Sequence, residues 1–68
     1  MHRWLADLST DELATFAQNV VALLDDPTAT TVINARRAAS LVDARAELRA
    51  RAQRGDVDAL RAVAGLPQ

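Results

Sequence analysis

The chain has 68 residues, half of them apolar, with nine acidic and eight basic side chains and a formal net charge of −1. A chain this short makes a single domain, residues 1–68, and buries only about 60% of the surface that its unfolded form exposes. Without cysteine it has neither disulfide staples nor thiolate metal ligands, a composition that fits a reducing compartment.

Trp4 and Phe16 are the only aromatic residues, whereas Ala occurs 15 times. Small side chains let helices pack closely but bury little area each. Such a core predicts that a second copy or a partner protein supplies part of the stability.

The charge is unevenly spread. Residues 1–31 carry Arg3 against five carboxylates, a net of −4, and residues 32–54 carry six Arg against Asp43 and Glu47, a net of +4. Two readings follow: an acidic helix packed on a basic one, within or between chains, or a basic face offered to a polyanion. The first is preferred.

The opening segment, MHRWLADL, reaches Asp7 before an apolar run can develop, so no secretory signal is expected. No apolar run approaches the ~20 residues that a bilayer span requires, and the expected setting is soluble and cytoplasmic. His2, the only imidazole, stands too near the terminus to be held as a general base. Trp4, Leu5 and Leu8 fit one apolar turn in residues 1–8, a mobile or lid-like segment over the end of a helix pair. Trp4 is the candidate partner contact, because Trp anchors many binding hot spots.

Ser9 and Glu12 have the spacing of a capping box, with Leu8 and Leu13 in the positions of a hydrophobic staple. A helix over about 10–24 follows, with Leu13, Phe16, Ala17, Val20, Leu23 and Leu24 inward. Pro27 ends it, since proline disfavours helical geometry in the residue before it. The neighbouring Asp25 and Asp26 read as solvated turn residues, and no metal site is expected there.

From about residue 30 to 54 neither Gly nor Pro interrupts the chain, and Ala, Leu and Arg favour a single long helix. Two seams run along it. Arg37, Leu41, Ala44 and Leu48 form a bulky seam suited to the first helix. Val32, Ala35, Ala39, Val42 and Ala46 form a small one that permits close approach of another long helix. Gly55 and Asp56 stop this helix and cap the next, about 57–64, where Val57, Leu60, Val63 and Ala64 form the expected apolar stripe. The result is an all-α helical hairpin with a short third helix. Neither short helix covers the whole of the long one, which predicts a homo-oligomer, a dimer being favoured, joined through the small seam.

The alternative function is nucleic-acid binding by Arg36, Arg37, Arg45, Arg49, Arg51 and Arg54. Arg can grip phosphate with two hydrogen bonds, but these six spread round the helix among acidic residues and lack aromatic neighbours for base stacking. Nucleic acid is therefore not the expected partner. Asp56, Val57 and Asp58 do not make a calcium loop, because Leu60 takes the place of a further oxygen ligand. No cofactor, metal or catalytic residue is expected. The sequence describes a small interaction module.

Overall fold

The structure is a computed structural model that describes residues 3–67, with only the backbone of Arg3; His2 lies outside the described residues. A 3-10 turn, Arg3–Asp7, precedes three helices: α1 Thr10–Leu24, α2 Thr31–Gln53 and α3 Val57–Ala64. The expected all-α hairpin with a short third helix is present. At about 1.5 Å per residue, the 23 residues of α2 run most of the longest dimension, 38 Å.

Each helix begins on a side chain that takes up an otherwise orphaned N–H. At α1 the Glu12 N–H donates to Ser9 Oγ at 3.1 Å, and the Ser9 N–H donates to Glu12 Oε1 at 2.9 Å. Thr30 Oγ1 accepts from the Ile33 N–H, and Asp56 Oδ1 from the Ala59 N–H. These caps account for starts at 10, 31 and 57.

The end of α2 is closed from within the backbone. The Asp56 N–H donates to the Arg51 carbonyl and the Gly55 N–H to the Ala52 carbonyl, both at 3.0 Å. This six-to-one, five-to-two pair is a Schellman motif, and Gly55 meets its demand for a left-handed residue with φ +100°. The chain therefore turns sharply into α3.

Leu13, Ala17 and Val20 of α1 meet Leu41, Ala44 and Leu48 of α2, and Leu5, Ala59 and Leu66 complete the buried set. The bulky seam of α2 thus faces inward. Two inward sets differ from expectation. In α1, Val21 packs against the core whereas Leu23 is exposed, because the buried stripe centres on Leu13, Ala17, Val20 and Leu24, about 90° round from Leu23. In α3 the core side consists of Ala59, Ala62 and Val63, while Val57, Leu60 and Ala64 are exposed. The turn at Gly55 fixes the direction of α3, and small Ala59 lets it approach closely. Leu66, beyond the helix, supplies the bulk that the expected stripe assigned to Leu60.

Candidate functional site

The small seam lies on the side of α2 away from the core. Seven-residue spacing returns to nearly the same side of a helix, so Val32, Ala35, Ala39, Val42 and Ala46 share one strip, centred roughly opposite Leu41, Ala44 and Leu48. All five are exposed, Val32 at 63% and Val42 at 58%. No charged side chain falls within the strip, and neither α1 nor α3 covers it.

At its edge the strip passes into a groove. Ala38 and Val42 form one wall with Leu41, while Val21 and Leu24 of α1 and Pro67 of the tail form the others, around a volume of about 390 Å³. The groove exists because α3 and the tail cover only the C-terminal part of the α1–α2 junction. Sequence periodicity does not show it: the expected inward face of α1 excludes Val21, and the return of the tail to α2 has no local signal.

The six Arg residues of α2 and its C-cap, Arg54, divide into two groups. Arg37 donates through Nη1 to the Leu23 carbonyl at 2.9 Å and lies 3.7 Å from the Asp26 carboxylate, closing the C-terminus of α1. Arg45 donates to the Pro67 carbonyl and so holds the tail. Arg51 pairs with Glu47, one helical turn before it, at 3.7 Å, and also reaches across the fold. Its Nη1 donates to Thr10 Oγ1 at 3.2 Å and its Nη2 to the Leu5 and Ala6 carbonyls at 3.3 Å. Arg36, Arg49 and Arg54 are exposed. Half of the supposed basic face is therefore engaged in holding helix ends and the chain's own termini together.

Thr10 is both acceptor and donor in this junction, since its hydroxyl donates to Asp56 Oδ2 at 2.6 Å. That bond, then the Ala59 N–H and more weakly the Arg51 charge, hold the Asp56 carboxyl below its ordinary pKa. The Thr28 hydroxyl and N–H do the same for Asp26, with Arg37 contributing less. The backbone N–H of Ser9, followed by its hydroxyl, lowers Glu12. Each shift has a structural cause in a cap or turn. All three shifts run downward, away from neutral pH.

Trp4 stands 47% exposed with its ring edge-on to Phe16, centroids 5.0 Å apart. Together with Leu8, Thr15 and Asn19 the pair lines a shallow groove bordered by Asp11 and Glu12. It is far from the α2 strip along the sequence of contacts, since Phe16 belongs to α1 and α1 packs on the opposite side of α2.

Among the described residues no group of three or more His, Cys, Asp or Glu side chains is placed to hold a metal ion. Nor is any helix among them long and apolar enough to cross a membrane. The architecture and its exposed strip define a small all-α protein with an unpartnered long-helix face. No protein-family model matches the chain, and no curated protein or solved structure is significantly similar to it.

Proposed function

We propose that this protein is a self-associating helical interaction module in which the outer face of α2 docks onto a second copy. The observation that carries the reading is the exposure of Val32 and Val42 on one charge-free strip with Ala35, Ala39 and Ala46. Isolated exposed apolar residues are ordinary. A continuous strip running from Val32 to Ala46 and opening into a largely apolar groove, bordered by Asp25 and Arg45, is the kind of surface that marks an interaction site.

A second copy fits better than a larger globular partner. Ala at three of five positions lets helix backbones approach toward the short end of the usual 8–10 Å range, and α2 offers the straight length such a contact needs. The small core makes the added burial valuable to a 68-residue chain. The reading includes a soluble, cytoplasmic setting, with which the cysteine-free sequence is compatible. Trp4, beside Phe16 in its shallow groove, is the residue that the reading assigns to contact with another protein.

Light scattering coupled to size exclusion tests the proposal, on the native chain and on the double variant Ala39→Glu, Val42→Glu. Both positions are solvent-exposed in the single chain, so the variant should keep its helical circular dichroism. The expected result is a native dimer or larger species and a folded variant of monomer mass. A native chain that is monomeric at micromolar concentration refutes the reading.

A further inference from the structure

Resting on the reading that gives Trp4 to another protein, we infer that its groove receives a basic amphipathic helix of that partner. A bulky aliphatic side chain of the helix sits against Trp4 and Phe16, with Lys or Arg on its flank. The shape, length and charge of the groove all select this occupant.

The Trp4 and Phe16 rings stand at 85° to one another with centroids 5.0 Å apart, so they make an inside corner rather than a flat plate. Leu8 extends the apolar surface, and Trp4 keeps 47% of its own exposed. A branched side chain such as Leu touches both walls of such a corner, whereas a flat ring covers only one. Trp is also the residue type most enriched among those that dominate binding energy.

Asp11, Thr15 and Asn19 follow one another at four-residue spacing, so the groove runs along α1 for about 12 Å. That is a little over two turns, the length over which a docked helix presents anchors at i, i+3 or i+4, and i+7. An extended segment would need a sheet edge to satisfy its backbone, and among the described residues every element is helical.

Asp11 and Glu12 border the groove, and among the described residues no basic side chain lines it. Residues 3–19 carry Arg3 against Asp7, Asp11 and Glu12, a net of −2. Glu12 keeps its charge while Oε1 accepts from the Ser9 N–H, and Asp11 is exposed in the first turn of α1. An acidic helix would set like charges together across the rim. Lys or Arg beside the aliphatic anchor meets the rim with complementary charge, and its methylene stem continues the apolar contact.

Two labelled helical peptides of about four turns serve as probes, with Leu at the same anchor positions and either Lys or Glu elsewhere. Binding is read as fluorescence anisotropy on the full chain. The expected result is that the Leu/Lys peptide binds and the Leu/Glu peptide binds about tenfold more weakly or not at all. Trp4→Ala should weaken the Leu/Lys complex about 30-fold or more. Thr15→Lys, at an exposed position within α1, should weaken it about tenfold while leaving the core intact. Should Trp4→Ala lose its helical circular dichroism, Thr15→Lys decides. If both peptides bind equally and Trp4→Ala abolishes both, Trp4 remains a partner contact and the basic partner is refuted. Leu/Lys binding that neither variant weakens lies elsewhere on the surface, and the inference fails together with the Trp4 reading. Absence of binding by either peptide overturns it as well. Conversion of an oligomeric native chain to a monomer by Trp4→Ala assigns the groove to a second copy and overturns it too.

Discussion

Replacing Gly55 with Ala should destabilise the protein, and replacing Gly65 with Ala should not. At Gly55 an added Cβ meets nothing within 4 Å, so packing contributes no penalty. The whole cost is local, because φ is +100° and an L-residue there brings its Cβ against the adjoining carbonyl. A left-handed residue costs about 1–2 kcal/mol, offset in part by the smaller conformational freedom of Ala in the unfolded chain, about 0.4–1 kcal/mol. The net expectation is a loss of about 1 kcal/mol.

Gly65 has φ −84° and ψ −6°, and its added Cβ would lie 3.7 Å from the carbonyls of Ala62 and Arg61, an ordinary contact. There the unfolded-chain term acts alone, and Ala should stabilise by about 0.4–1 kcal/mol. The two variants should differ by about 1.5–2 kcal/mol, which for a domain of this size corresponds to roughly 6–16 °C in Tm. Thermal unfolding followed at 222 nm, at one fixed protomer concentration because association shifts Tm, measures the difference. Equal melting temperatures, or a Gly65→Ala variant that melts first, would refute the assignment of Gly55 as the strained corner.

Arg51→Met should cost about 1.5–3 kcal/mol, the usual scale for hydrogen bonds to a charged group, because it abandons Thr10 and the Leu5 and Ala6 carbonyls. Arg49→Met, at an exposed position two residues away, should stay within about 0.5 kcal/mol; urea unfolding of both variants distinguishes a junction residue from a surface charge. Acid should weaken the fold through Asp56, Asp26 and Glu12. Each has a folded pKa below its ordinary value, so its stabilising contribution is complete above the ordinary value, 3.8 for Asp and 4.5 for Glu, and is lost as pH falls through the lower folded one. Stability measured from pH 5 to pH 2 should fall, and Asp56→Asn, which keeps a capping oxygen without the titrating charge, should flatten the curve.

Local chemistry was legible where it acts over three or four residues. Ser9 and Glu12, Gly55, Asp56 and the Glu47–Arg51 pair all announce their roles by spacing, and the helix limits they set agree with the structure. The inward seam of Leu41, Ala44 and Leu48 was equally plain, because a helix buries what its period aligns.

Periodicity failed where a tertiary contact selects among apolar residues on neighbouring parts of a helix. Leu23 and Val21 both have apolar side chains, and the position of α2 decides which is covered. Leu60 is exposed because the Gly55 turn directs Ala59 inward. Arg37, Arg45 and Arg51 could be seen as basic but not as spent on carbonyls, since their acceptors lie 14, 22 and 46 residues away in sequence.

The reach of Arg51 to Leu5 and Ala6 turns the N-terminal segment into a gauge of the opposite end of the chain. Trp4 belongs to the same 3-10 turn and carries the protein's single indole. A loosening of the α2–α3 corner that withdraws the guanidinium from those carbonyls would leave the turn held by buried Leu5 and by the Trp4–Phe16 contact, and should change the solvent around that indole. The tryptophan emission spectrum is thus an intrinsic reporter on a corner some fifty residues further along the chain, readable without any added label.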